Sequence, residues 1–471
     1  MPAFLPDDLA RWTGGRWTAP PAGPVAAVAH DSRRVAPGAL FVALRGERVD
    51  GHAFLAEAAS RGAAAAVVDR AGPAAAAAGG LPLLVVDDTR RALADLARGH
   101  RARLRGRLIG VTGSVGKTTT KDLVADVLAA AGPTARTAGN WNNDIGLPLS
   151  LLAMDPDDAA GVFELGMNHP GELAPLCGIL RPHWGVMTRV GPVHIGHFES
   201  EEAIADEKAS LLRALPADGA AVLAADEPWA GRFRAAARCR VLLVGFSGDA
   251  DYRGRLNVDP HVFDVTEPGG GTHAYRLPMP GEGARRNALR AVAVGREFGI
   301  APGEIARRLA AFRPPPMRWD AVERDCVRWI NDAYNANPES MREAARTFAA
   351  MPAAGRKWLV LGGMRELGRR SDDAHRALGR ELAAGPFHAC VAVGALARGI
   401  VDGARAAGWP AARLHACAGT AEAAGVLAGA LRPGDAVLLK GSRAERIEDV
   451  FEVWTRRAAG DGRQVDRCCT S

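Results

Sequence analysis

The chain has 471 residues, a formal charge of +6 and 48% hydrophobic residues, which allows about three domains of roughly 150 residues, each able to bury its own core. Its basic residues are scattered and form no aromatic-interleaved stripe, so nucleic acid is not an expected partner, and an anionic small substrate accounts for the charge equally well. No apolar run reaches membrane-spanning length, no basic region followed by an apolar one opens the chain, and the seven widely spaced cysteines lack zinc-site pairing, so a cytoplasmic protein with reduced thiols is expected.

Residues 1–105 read as a small α/β domain. A strand-like run over 40–44 leads into helical spacing over 54–64 and a second apolar strand over 65–68. The polar loops His30-Asp31-Ser32-Arg33-Arg34 and Asp50-Gly51-His52 stand outside these runs. Ser32 and Arg33 together offer a hydroxyl and a fork of donors suited to a diphosphate or a uracil carbonyl, with a solvated loop as the alternative. The alanine-rich stretch 71–80 reads as a loose helix and turn with no site.

Residues 106–316 begin with an apolar strand over 108–111, then Gly113-Ser114-Val115-Gly116-Lys117-Thr118-Thr119, then helical periodicity over 118–131. A glycine-rich turn between strand and helix lets backbone N–H groups and the positive helix end face an anion; Lys117 adds a mobile charge, and Thr118 stands where a Mg2+ ligand is expected. A nucleoside triphosphate site follows, although Val111 occupies the position of the first Walker glycine. Downstream, Asn140, Asn142 and Asn143 form an amide-rich cluster that could hold a charged substrate or simply make a turn. Glu164 ends a predicted strand over 162–164 and would project over the same crevice as a hard-oxygen ligand. His194 and His197 share a Gly/Pro loop without a third ligand at zinc spacing. Lys208 falls in a predicted helix over 200–215, where a surface lysine is the plain alternative. An antiparallel appendage with a Gly269-Gly270-Gly271 turn is expected over 249–278, a helix carrying Asn287 over 284–298, and a linker at Pro314-Pro315-Pro316.

Residues 317–471 alternate strands over 358–361, 389–393, 415–418 and 436–439 with helical stretches, the pattern of a doubly wound parallel sheet. Polar loops at its expected carboxyl edge carry Asp332, Tyr334, Asn335 and Asn337, then Gly362-Gly363-Met364-Arg365-Glu366-Leu367-Gly368, then Lys440-Gly441-Ser442-Arg443. No G-x-G-x-x-G fingerprint points to a nicotinamide cofactor.

Taken in order, the phosphate loop, the run 332–340, Met364-x-Glu366-Leu367-Gly368 and 440–443 resemble the Mur ligase family over nearly the full chain. The resemblance accounts for the missing Walker glycine and implies three α/β domains: a UDP-sugar-binding unit at 1–105, a central P-loop ATPase-like unit at 106–316, and a Rossmann-like unit at 317–471 that takes an incoming dipeptide. It implies an ATP- and Mg2+-dependent peptide ligase joining D-Ala-D-Ala to UDP-MurNAc-tripeptide through an acyl phosphate, acting as a monomer. By resemblance, 113–119 would bind ATP with Lys117 on its phosphates. Thr118, Glu164, His194 and a carbamylated Lys208 would surround magnesium. Asn287 would face adenine, Arg318 would stabilise phosphate and Asp332 would take the ribose. Asn140, Asn142 and Asn143, with Ser32 and Arg33, would approach the nucleotide-sugar substrate, and Tyr334, Asn335 and Asn337 the dipeptide. Gly283, Ala284 and Gly363 depart from common family patterns, so a paralogue acting on a different amine and carboxylate is the alternative; a non-catalytic scaffold would not need the full magnesium set.

Overall fold

The computed structural model describes residues 2–69 and 80–460; the alanine-rich stretch up to residue 79 and the tail from 461, with Cys468 and Cys469, lie outside the described residues. Three sheets follow one another along the chain. The first contains β1 (Arg16–Trp17), β2 (Ala27–Ala29), β3 (Ala39–Val42), β4 (Ala65–Asp69) and β5 (Leu83–Val86) in the order β1-β5-β4-β3-β2, parallel except for β1.

The second holds β6 (Arg107–Thr112), β7 (Thr134–Arg136), β8 (Ala160–Glu164), β9 (Trp184–Met187), β10 (Ala220–Ala224), β11 (Arg240–Gly245), β12 (Tyr252–Leu256), β13 (Val262–Thr266) and β14 (Thr272–Arg276). Their order is β14-β13-β12-β11-β10-β9-β6-β8-β7, parallel from β7 to β12 and antiparallel beyond, so the expected appendage is continuous with the sheet. β6 lies between β8 and β9, where the winding reverses and a crevice opens at the carboxyl ends of parallel strands. Its side chains serve both faces. Ile109 and Val111 pack with Leu123, Val124 and Val127 and with the helix Glu282–Glu297, while Leu108 packs with Leu151, Leu176 and Leu180 on the other side. Burial on both faces explains why β6 reads as a continuous apolar run.

The third sheet comprises β15 (Asp320–Arg324), β16 (Val327–Asn331), β17 (Lys357–Gly362), β18 (Ala389–Val393), β19 (Leu414–Cys417) and β20 (Ala436–Lys440), ordered β15-β16-β20-β17-β18-β19 and parallel except for the edge strand β15. The β15–β16 hairpin escaped the sequence reading because its turn uses Asp325 and Cys326 in left-handed backbone, φ 51° and 55°, where glycine or asparagine is the usual signal. The helix expected over 200–215 is two pieces, Glu201–Lys208 and Ser210–Arg213. Hydrogen bonds from Ala209 to Ala205 and from Arg213 to Ala209 run on across the turn, so the rod is interrupted but not ended. Cys177, Cys239, Cys390 and Cys417 are free thiols and Cys326 is not, so the reduced state expected for all seven is seen in four.

The helix Thr89–Arg101 joins the first sheet to the second. Leu93, Leu96 and Ala97 share one core with Leu147, Leu151 and Leu180, and Arg101 donates to the carbonyls of Leu180 at 2.7 Å and Arg181 at 2.9 Å. Burial lowers the Arg101 guanidinium to about 10. On its other side, Gly99 lies against Trp12 so closely that a Cβ would sit 2.1 Å from Cδ2 of the indole. Gly99→Leu should therefore destabilise the protein by about 1–3 kcal/mol in urea denaturation despite the gain in helix propensity; unchanged stability would show that Trp12 can move aside.

Candidate active site

A cleft of about 620 Å³ opens over the carboxyl ends of β6 and β8 and faces the loop after β16 and the end of β20. The phosphate loop forms its floor. Gly113 and Gly116 hold φ 148° and 88°, and neither has room for a side chain: a Cβ would lie 1.9 Å from Thr188 Oγ1 and 2.7 Å from Asn287 Oδ1 respectively. The N–H groups of Ser114 and Val115 donate to the Arg189 carbonyl at 2.7 and 3.2 Å, and Ser114 Oγ donates to the Gly191 carbonyl at 2.9 Å. The loop is thus clamped to the segment after β9.

Glu164, only 2% exposed at the end of β8, accepts from Thr118 Oγ1 at 2.7 Å and from Asn142 Nδ2 at 2.7 Å. Arg318 donates to the same Thr118 hydroxyl at 3.0 Å and lies 4.1 Å from the centre of the Tyr334 ring. It is aimed there by Met317 and Trp319, both in left-handed backbone. Lys117 Nζ and Lys208 Nζ each donate to the Gly113 carbonyl, at 3.0 and 2.8 Å. Burial lowers both pKa values, that of Lys208 strongly, and the Lys117 charge adds to its shift. Three basic side chains therefore gather around the Gly113 carbonyl and the Thr118 hydroxyl that donates to Glu164. That basic surplus over one carboxylate fits a polyphosphate.

Among the described residues no group of three His, Cys, Asp or Glu side chains gathers as a metal cluster. The donor set still fits Mg2+, which commonly relies on one or two protein oxygens together with substrate phosphates and water: a buried carboxylate and a threonine hydroxyl already touch, and His194 lines the same cleft.

Asp332 accepts from Lys440 Nζ at 2.6 Å and from the Trp319 backbone at 3.2 Å. Lys440 also donates to the Asn335 carbonyl at 3.1 Å, so it holds the ends of the loop together. Asn337 caps the helix Pro338–Ala350 through a reciprocal box with Ser340, and Asn143 Oδ1 accepts from Gly146 N–H at 2.9 Å; both line the cleft while holding the backbone of a helix start. Asn140, Asn142 and Asn335 line it too. Ser32 and Arg33 do not: Ser32 donates to Glu57 at 2.7 Å, and Arg33 forks onto Asp31 at 2.9 and 2.8 Å. The first domain reaches the cleft instead through His30, packed edge-on against Trp141 at 5.9 Å, with Arg34 stacked over the same indole at 5.0 Å. Sequence reading missed His30, Trp141, Lys440 and Glu343. For Lys440 the signal was present, since the motif containing it had been singled out.

The departures noted in the sequence have steric counterparts. The Gly283 N–H donates to the Glu343 carboxylate, which sits where a Cβ would be, 1.7 Å from Oε1. At Gly363 a Cβ would lie 2.6 Å from Leu396 Cβ.

The family model for the Mur ligase family catalytic domain matches residues 24–101, that for the Mur ligase middle domain 111–295, and that for the Mur ligase glutamate ligase domain 317–443. The chain belongs to the Mur ligase family. This Mur ligase is 36% identical over 386 residues to the UDP-N-acetylmuramoyl-tripeptide--D-alanyl-D-alanine ligase of Bacillus subtilis, covering 80% of this chain and 82% of that one. It is 34% identical to the enzyme of the same name from Escherichia coli, covering 78% and 81%. Its fold is similar to a crystal structure of MurF from Acinetobacter baumannii, with a TM-score of 0.87, 30% identity and 97% and 99% coverage. It is also similar to MurF ligase from Thermotoga maritima in complex with ADP, with a TM-score of 0.80, 28% identity and 93% and 99% coverage.

A second cavity, of about 820 Å³, adjoins the first across Gly116, Gly283 and Asn287. In its wall burial raises Glu227 to about 7, while Arg290, buried beside it, falls to about 10. The folded Glu227 pKa lies above its usual 4.5, so the native state holds a proton that the unfolded chain releases, and stability falls as pH rises from 4.5 through 7. Glu227→Gln should remove that slope, leaving the variant more stable than the parent by about 1–3 kcal/mol at pH 8 and equal to it near pH 5 in urea titrations. Equal stability at both pH values would refute the shift.

Proposed function

We propose that this Mur ligase joins D-Ala-D-Ala to UDP-MurNAc-tripeptide in an ATP-dependent reaction of peptidoglycan precursor synthesis. The observation that carries the reading is that Lys117, Thr118, Glu164 and Arg318 line one cleft with the amide-rich 140–143 segment and the 332–337 loop, with the buried Lys208 behind them on the Gly113 carbonyl. Relatives at about 35% identity over most of the chain bear this activity in their names.

A peptide carboxylate is a poor electrophile, and two anions repel. In the proposed reaction the carboxylate attacks the γ-phosphorus, its oxygen bonding to phosphorus as the bond to the ADP oxygen breaks. The dipeptide amine then attacks the acyl carbon and phosphate leaves. Lys117 and Arg318 would offset the charge on the transferring phosphoryl group, and the N–H groups of 116–119 at the helix start would position the polyphosphate. Mg2+, when bound by Thr118, Glu164 and His194, would draw further charge from the phosphate oxygens. Asp332, presented by Lys440, would take the ribose hydroxyls. Asn287 would stand at the nucleoside end, Asn140 and Asn142 would hold the muramoyl substrate, and Tyr334 and Asn335 would meet the dipeptide. Residues 1–105 would take the UDP end through His30 and the loop of Ser32 and Arg33, 106–316 the ATP, and 317–471 the dipeptide. Closure of the C-terminal unit over the central one would exclude the water that hydrolyses an acyl phosphate.

The lowered pKa of Lys208 keeps a share of its amine neutral, the form that adds CO2 to give a carbamate. An anionic carbamate there would relieve the cationic surplus and help fix a second Mg2+.

With ATP, Mg2+, UDP-MurNAc-tripeptide and D-Ala-D-Ala, ADP release should require both substrates and yield the pentapeptide; release with another amine and none with D-Ala-D-Ala would overturn the assignment. Lys117→Ala should abolish turnover at unchanged thermal stability, and near-normal turnover would refute its phosphate role. Lys208→Ala should lose activity that short-chain carboxylates partly restore; the absence of any rescue in a folded variant would count against the carbamate.

A further inference from the structure

The loop at 364–368, after β17, rests on the loop at 194–197, after β9, so closely that backbone touches backbone. Gly196 N–H donates to the Glu366 carbonyl at 3.2 Å. A Cβ on Gly196 would lie 3.1 Å from both that oxygen and Gly368 N, and one on Gly368 would lie 3.1 Å from Gly196 Cα. Across this contact the Glu366 carboxylate is hydrogen-bonded to His194 Nδ1. Both residues hold left-handed backbone, φ 62° at His194 and 66° at Glu366, a conformation that side chains other than glycine and asparagine keep only where the surroundings enforce it. When Nδ1–H donates to a carboxylate, Nε2 is left with its lone pair, and His194 lines the cleft.

We infer that Glu366 is a positioning residue: seated on the central domain by the Gly196–Gly368 contact, it sets the tautomer and ring orientation of His194 from the C-terminal domain. The inference rests on the proposed place of His194 around Mg2+ and deepens it, because the histidine is then correctly held only while the C-terminal loop is docked. Glu366 itself reaches the chemistry through the imidazole. A carboxylate behind a metal-binding histidine is a general means of fixing its orientation.

The test compares Glu366→Ala, Glu366→Gln and Gly196→Val with the parent protein. Turnover is followed with ATP and both substrates, and Mn2+ binding in the presence of ADP is followed by electron paramagnetic resonance. Glu366→Ala should lower kcat by about 10–100-fold and weaken Mn2+ about tenfold, with KM for UDP-MurNAc-tripeptide and the melting temperature unchanged. Glu366→Gln, which still accepts from Nδ1–H, should recover most of both losses. Gly196→Val, which wedges the loops apart with Glu366 intact, should reproduce the alanine variant. Parental kcat and Mn2+ affinity in Glu366→Ala would overturn the inference, as would equal losses in the alanine and glutamine variants accompanied by a lowered melting temperature. If the parent protein fails to use D-Ala-D-Ala, the ligase assignment fails, while the Mn2+ comparison still decides the role of Glu366.

Discussion

The carboxylate of Glu164 is the point on which the cleft depends. Buried at the end of β8, it joins the helix that begins at Lys117, through the Thr118 hydroxyl, to the amide-rich segment, through Asn142. Arg318 completes the link by reaching the same hydroxyl from beyond the proline linker. A buried carboxylate left without such partners is strongly unfavourable, so each contact constrains the others. The Asn142 carboxamide in turn lies against Gly166, where a Cβ would meet it at 2.5 Å. The alignment of phosphate loop, amide segment and C-terminal unit thus follows from satisfying one charge.

The surroundings of that carboxylate carry more positive charge than it can balance. Lys117 and Lys208 share the Gly113 carbonyl, and burial lowers the pKa of each. This imbalance is costly in the free protein, and phosphate oxygens entering the cleft would offset it. It also explains why a carbamate is chemically apt at Lys208: the same burial that disfavours an ammonium leaves a neutral amine to react.

The C-terminal unit meets the central one through contacts that include Arg318 on Thr118, Arg189 paired with Glu339, Glu343 on the Gly283 N–H, and the 364–368 loop on the 194–197 loop. Two of these use residues in left-handed backbone, at 317–319 and at His194 and Glu366. Strain of this kind marks positions where the chain's path is dictated by what the side chain must reach. Gly283 and Gly363 belong to the same account, since each makes room for a neighbour, Glu343 and Leu396, that a larger residue would displace.

The sequence alone determined the elements whose signals are local. The buried strands announced themselves as apolar runs, the phosphate loop by glycine spacing before Lys117, and the carboxyl-edge loops at 332–340, 362–368 and 440–443 by polarity beyond what a connection needs. Local signals placed Lys117, Thr118 and Glu164 as site residues and the family resemblance added Arg318 and Asp332; all five line the cleft. By its own spacing Lys208 is indistinguishable from a surface lysine and only the family resemblance marks it; burial puts its Nζ on the Gly113 carbonyl. Ser32 and Arg33, whose donors suit an anion, are engaged by Glu57 and Asp31, whereas His30 of the same loop and Trp141 of the amide-rich segment enter the cleft. The β15–β16 turn and the contact of Glu366 with His194 were equally hidden. Period and turn chemistry are written in neighbouring residues, but a contact between positions 172 apart depends on how three separately wound sheets pack, and only the tertiary structure decided it.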